Sequence, residues 1–238
     1  MMETRWDLPT LCLLGLVALV AAAILAGARR ADRAAGGRPL FPLAAAGLAF
    51  WLAYAAQVSL RGRLLPPPGG GAPPVALLIP PGVLLAILAV FSPLGKRMAA
   101  LPYAALIGFQ VFRLPLEFLL YAFHAQGRLP VQMTFAGRNF DVLTGLSAIG
   151  VAWLAARGKA GRKLVLTWNL AGLALLLNIA VVAALSLPAP WRVFRNDPPN
   201  ELVLHFPYVY IPALFVMAAL AGHLLVFRKL AREKAGPA

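Results

Sequence analysis

Long apolar runs alternate with short polar or basic segments along the whole chain. A helix that crosses a bilayer needs roughly 20 consecutive apolar residues. On that measure the pattern predicts seven spans, at about 8–27, 40–60, 75–91, 99–124, 139–156, 164–186 and 207–227. The expected fold is therefore all-α, a polytopic transmembrane helix bundle, with residues 1–238 forming a single transmembrane domain. The first run is expected to be retained rather than cleaved, because Glu3, Arg5 and Asp7 before it do not make the basic leader of a signal peptide. Within it Ala18, Ala22 and Ala26 recur beside Gly15, a stripe of small residues that lets another helix approach closely. The stretch PPPGGGAPP, Pro66 to Pro74, cannot continue a helix and separates the second span from the third. Pro80 and Pro81 then interrupt the third near its start.

Charge gives the pattern a direction. Cytoplasmic loops retain Lys and Arg in excess. Arg29, Arg30, Arg33, Arg38, Lys96, Arg97, Arg157, Lys159, Arg162, Lys163, Arg228, Lys229, Arg232 and Lys234 fall on one side of the predicted spans. Arg5, Arg61, Arg63, Arg128, Arg138, Arg192 and Arg195 fall on the other, and Arg113 lies inside a span. This bias of fourteen to seven predicts the N-terminus outside and the C-terminus in the cytoplasm. The formal charge of +14 is thereby read as topology and contact with anionic membrane lipids, not as nucleic-acid binding.

Composition then narrows the chemistry. With 61% hydrophobic and 13% charged residues, the chain needs lipid as its solvent. The single cysteine, Cys12, excludes disulfide frameworks and thiol relays. No lysine lies between Lys163 and Lys229, so the last span cannot hold a retinal Schiff base. A Walker-type phosphate loop and a pair of histidines one turn apart are also absent.

The candidate site is the polar content of the fourth span. Gln110, Arg113, Glu117, Tyr121 and His124 are spaced by three or four residues, which predicts one helix face. Charges at membrane depth usually face a protein interior or a wet cavity. Arg113 and Glu117, one turn apart, are expected to neutralise each other in part. Pro115 between them frees a backbone carbonyl near Val111. The loop GRLPVQMTFAGRNFD follows, placing Arg138, Asn139 and Asp141 at the membrane boundary, where Asn139 or Asp141 could serve only as a helix cap. Tyr54, Gln57, Asn178, His205, Tyr208 and Tyr210 are expected at the same outward depth. His223, near the cytoplasmic end, reads as an interfacial residue. Glu117, His124, Asp141 and His205 could in principle contribute metal ligands, but two helical turns, about 10 Å, separate Glu117 from His124, so no metal site is assigned. The sequence names no cofactor.

The segment VFRLPLEFLLYAFHAQGRLPVQMTFAGRNFDVLTGLSA, Val111 to Ala148, resembles part of a group of bacterial polytopic inner-membrane proteins of similar length that have no assigned activity. The resemblance implies a multi-pass protein of the bacterial cytoplasmic membrane and says nothing of substrate. Three functions stand open on the residues alone. The first is a transporter or binder of a small polar or anionic solute in an outward pocket, with Arg113 or Arg138 as counter-charge and Glu117 as proton carrier. The second is an intramembrane enzyme acting on a lipid or lipid-linked substrate, with Glu117, His124 or Asp141 as acid and base. The third is an assembly or scaffold subunit, in which the charged face locks helices together.

Overall fold

The structure, a computed structural model, describes residues 6–234; Glu3 and Arg5 lie outside the described residues. Nine α-helices follow one another, with no strand among the described residues: α1 (Leu8–Ala35), α2 (Phe41–Leu60), α3 (Ile79–Phe91), α4 (Pro93–Met98), α5 (Tyr103–Gly108), α6 (Arg113–Ala125), α7 (Asp141–Ala156), α8 (Arg162–Ser186) and α9 (Met217–Lys234). Five segments are long and apolar enough to cross a membrane: Leu8–Ala35, Phe41–Leu60, Tyr103–Ala125, Arg162–Ser186 and Ile211–Glu233. Two further apolar helical segments, Val75–Phe91 and Asp141–Ala156, are shorter.

Local chemistry explains several boundaries. Asp7 caps α1 by accepting hydrogen bonds from the backbone N–H of Thr10 at 3.1 Å and from its hydroxyl at 2.7 Å. Ser92 closes α3 and caps α4, accepting from the Gly95 N–H at 3.1 Å. The predicted fourth span is interrupted, since α5 and α6 are joined by a 3₁₀ stretch at Phe109–Phe112. Pro115 supplies the reason: it has no N–H for the carbonyl of Val111, and its ring crowds that carbonyl, so the chain tightens just before it. A π-helical stretch, Ile211–Val216, leads into α9 in the same way that the 3₁₀ stretch leads into α6.

The helices bury an apolar core and leave apolar surface outside. Leu13, Val20, Leu116, Phe123, Leu176 and Phe215 belong to the larger core cluster, and Ile107, Ala148, Val165 and Val226 to a second one. Leu19, Leu43, Phe50, Leu88, Leu146, Trp153, Leu177 and Val181 remain exposed on several helices. In water so much contiguous apolar surface would drive association. In hydrocarbon it is the ordinary outer face of a helix.

Polar contacts tie each end of the bundle together. At one end Asp32 of α1 pairs with Arg97 and accepts from the N–H groups of Leu40 and Phe41 at 2.8 and 3.0 Å. There too, Arg232 donates to the Lys96 carbonyl at 3.0 Å, Arg162 to the Leu230 carbonyl at 2.8 Å, and Arg228 to the carbonyl of Val90. At the other end Thr10 and Tyr208 share a hydroxyl hydrogen bond of 2.8 Å, and Arg128 contacts both Asp7, at 3.2 Å, and Tyr208. Ser59 donates to the Leu204 carbonyl and Gln132 to Ser186, at 2.8 and 3.0 Å.

Candidate functional site

Four helices contribute charged or polar groups to one buried cluster. Arg113 opens α6 and is 2% exposed, as is Glu117 one turn later; Gln110, in the 3₁₀ stretch, and Asn139, in the loop before α7, are each 1% exposed. Asp141 starts α7, Asn169 lies in α8 and His223 in α9, all buried. In low-dielectric surroundings each of these groups must find a partner or remain costly.

The pairing differs from the one expected along α6. Arg113 forms its ion pair with Asp141 of α7, not with Glu117. The close approach of the two helices decides this. At Gly145, one turn into α7, a Cβ would stand 2.6 Å from the backbone nitrogen of Leu114, so α7 lies directly against the first turn of α6 and brings Asp141 to the guanidinium. Glu117 is instead held by Asn139, whose Nδ2 donates to both carboxylate oxygens at 2.7 and 2.8 Å. The Asn139 carbonyl Oδ1 accepts the backbone N–H of Asp141 at 3.1 Å, so one amide ties the Glu117 carboxylate to the start of α7. The N-cap position of α7 is Phe140, without a side-chain cap, so Asn139 serves the cluster from one residue before the helix.

His223 corrects a second expectation. It is fully buried, not interfacial. Its Nε2 stands 3.0 Å from Arg113 Nη1 and its Nδ1 2.8 Å from Asn169 Oδ1. A guanidinium only donates, so Nε2 accepts, the ring proton sits on Nδ1, and Asn169 receives it. Asn169 Nδ2 donates in turn to the His223 carbonyl at 3.1 Å. Glycines make the space: a Cβ on Gly172 would meet His223 Cε1 at 2.6 Å, and one on Gly222 would meet Gln110 Nε2 at 2.5 Å. Gln110 donates to the Ala219 carbonyl at 3.0 Å. Among the described residues, Gln110 Oε1, Arg113 Nε and Thr144 Oγ1 are buried without a hydrogen-bond partner in the protein.

The remaining residues of the predicted site lie outside this cluster. A step of four residues turns a helix by about 400°, so two such steps carry Tyr121 about 80° round from Arg113. Tyr121 is accordingly exposed, stacked on Phe135 with ring centroids 4.9 Å apart. His124 donates from Nδ1 to the Leu129 carbonyl at 2.9 Å and serves the following loop. Arg138 is exposed, with its guanidinium 5.3 Å from the Phe194 ring centroid, while Asn178 donates to its carbonyl at 2.8 Å. His205 is 3.4 Å from Glu201 in the segment before α9. Among the described residues no group of three His, Cys, Asp or Glu side chains is placed to hold a metal ion. Sequence reasoning missed Asn169 and Thr144, although an amide inside an apolar run carries the same signal as Arg113.

A helical bundle with an apolar exterior and a charged, hydrogen-bonded interior is the class these features define. Residues 72–231, about two thirds of the chain, match a domain of unknown function, DUF8737, and the chain belongs to that family. No curated protein and no solved structure matches the chain. The matched stretch contains every residue of the cluster and leaves α1 and α2 outside it.

Proposed function

We propose that this chain is a seven-span protein of the bacterial cytoplasmic membrane, N-terminus outside and C-terminus inside, that binds and moves a small polar or anionic solute with Glu117 as its proton-carrying group. The fourteen-to-seven distribution of basic residues supports the topology, as do the contacts that gather Asp32, Arg97, Arg162, Arg228 and Arg232 at one end and Asp7, Arg128, Gln132 and Tyr208 at the other. The bacterial setting rests on the likeness of residues 111–148.

One observation carries the functional reading: Glu117 is a buried carboxylate with no cation of its own, set beside an Arg113–Asp141 pair. Two carboxylates face one guanidinium, so with both ionised the cluster holds one negative charge too many. A lone charge at membrane depth costs about 2.5–3.5 kcal/mol on insertion scales. A proton taken up by the cluster removes that cost, and opening to water, which solvates the carboxylate, lets the proton go. The partnerless Arg113 Nε, Gln110 Oε1 and Thr144 Oγ1 offer donor and acceptor capacity to a small polar or anionic guest in the same place.

Proteoliposomes with a trapped pH dye and an imposed potential test the proposal. Proton flux is expected for the native chain and lost in Glu117→Gln, which keeps the shape and one acceptor oxygen for Asn139 Nδ2. Trp168, whose ring centroid is 5.9 Å from that of His223, gives a second readout. Its emission is expected to follow a one-proton titration that Glu117→Gln flattens. The sealed state of the cluster favours a second reading, a scaffold whose charges only lock α6 to α7, α8 and α9. On that reading the native chain shows no flux and a flat titration, and Glu117→Gln alters melting temperature alone.

A further inference from the structure

A cavity of about 720 Å³ lies between α1, α2, α3 and α9, bordered by α4 and α5, and its inner wall at Gly222 backs onto Gln110 of the charged cluster. Its walls are almost wholly apolar, including Ala26, Gly47, Leu85, Ala86 and Met217. Leu43 and Leu85 on its rim are exposed, at 75% and 46%, so it opens to the outside of the bundle as a cleft. Trp51 is buried at its deep end, donating from Nε1 to the Ala213 carbonyl at 2.8 Å and lying against Gly82, where a Cβ would be only 3.0 Å from the indole. From Leu40 at the mouth to Trp51 is eleven residues of helix, about 16 Å. One leaflet of hydrocarbon is about 15 Å deep.

The mouth is basic. A second, smaller groove adjoins the cleft through Ala26 and Arg30 and is lined by Arg29, Arg30, Arg33 and Phe41. All three arginines are exposed, and among the described residues none has an acidic partner. Asp32, the carboxylate between them in the chain, is occupied by Arg97 and by the backbone N–H groups of Leu40 and Phe41. Arg29 is held in place over Phe41, 5.9 Å from its ring centroid. An apolar slot one leaflet long that ends in unopposed guanidinium groups matches one kind of molecule in both halves.

We propose that this cleft binds an anionic phospholipid, its acyl chain between α1, α2 and α3 down to Trp51 and its phosphate on Arg29, Arg30 and Arg33. Guanidinium groups suit this task because their planar forks bond phosphate oxygens in pairs. The site is independent of Glu117 and its proton. It lies where α1 and α2, outside the DUF8737 match, meet α3 and α9 within it, so the lipid bridges the two parts.

The test uses the full chain, delipidated in detergent and titrated with phosphatidylglycerol or phosphatidylcholine of identical acyl chains, with native mass spectrometry as readout. One tightly retained phosphatidylglycerol is expected, preferred over phosphatidylcholine by roughly tenfold or more, the scale of two or three arginines at a charged surface. Arg29→Gln with Arg30→Gln should bring the two lipids to near parity. Gly47→Phe fills the slot from an exposed helix position where a Cβ meets nothing within 4 Å, and should abolish retention of both. Equal retention of the two lipids by the native chain, or undiminished phosphatidylglycerol in Gly47→Phe, overturns the proposal. Displacement of the lipid by millimolar inorganic phosphate overturns it too, since the groove would then be an anion site without a lipid slot.

Discussion

Asn139 determines how the charged cluster is assembled. Its Nδ2 reaches both oxygens of Glu117 and its carbonyl the start of α7. Asn139→Leu is expected to lower stability by about 2–3 kcal/mol, because it strips a buried carboxylate of its donor as well as losing hydrogen bonds. Thermal unfolding in detergent measures this. Restoring melting temperature in the double variant with Glu117→Leu would show that the cost lies in the stranded carboxylate. Asp7, outside the membrane-spanning segments, governs the opposite kind of effect. Burial raises its carboxyl, but the Thr10 hydrogen bonds and the Arg128 charge prevail and hold it below the ordinary carboxylate value. A carboxyl lowered in the folded state contributes stability that is present above its unfolded value, near pH 4, and is lost as pH falls through the folded one. Melting temperature should therefore drop below about pH 4 in the native chain. Asp7→Ala should cost about 1 kcal/mol at pH 7, the scale of a cap, and flatten that acid limb. An unchanged acid limb in the variant would show that other carboxylates control it.

At the scale of the element, glycines separate propensity from packing. Alanine is favoured over glycine inside a helix by about 1 kcal/mol. Gly150 in α7 has nothing within 4 Å of a built Cβ, so Gly150→Ala is expected to stabilise by up to that amount. Gly172 in α8 has His223 Cε1 at 2.6 Å, a ring fixed by Arg113 and Asn169. Overpacking of that kind costs about 1–3 kcal/mol and outweighs propensity, so Gly172→Ala should destabilise. Denaturation curves of the two variants should move in opposite directions. Elements were legible in the sequence to the extent that they depend on local chemistry. The apolar runs mark α2, α3, α7 and α8 within a few residues, but α1 continues to Ala35, past its apolar run, α9 starts only at Met217, and the span expected at 99–124 is divided into α5 and α6. The pairing of Arg113 was not legible, because an i, i+4 neighbour on the same helix competes with a group that only close helix contact brings near. Gly145 makes that contact, and a glycine in a helix says nothing of which neighbour it admits.

The whole molecule is defined by its two ends and its lipid-facing surface. With Cys12 replaced by serine, single cysteines placed by Ala35→Cys, Ala160→Cys and Gln126→Cys test the topology in sealed vesicles. An impermeant thiol reagent is expected to reach position 126 from one side and positions 35 and 160 from the other. Labelling of 126 and 160 from the same side would contradict seven spans. By itself the sequence determined the helical class, the length scale of a membrane crossing, the asymmetry of charge and the presence of Gln110, Arg113, Glu117, Asn139 and Asp141 as residues an apolar chain would not carry without cause. Those properties depend on composition and on period along one chain. Only the tertiary structure decided that Arg113 answers Asp141, that His223 and Asn169 complete the cluster, that Tyr121, His124, Arg138 and His205 stand apart from it, and that an apolar cleft ends at three arginines. Each of these depends on which helix faces meet, and that choice is made by packing between residues as far apart as Trp51 and Ala213, 162 positions along the chain.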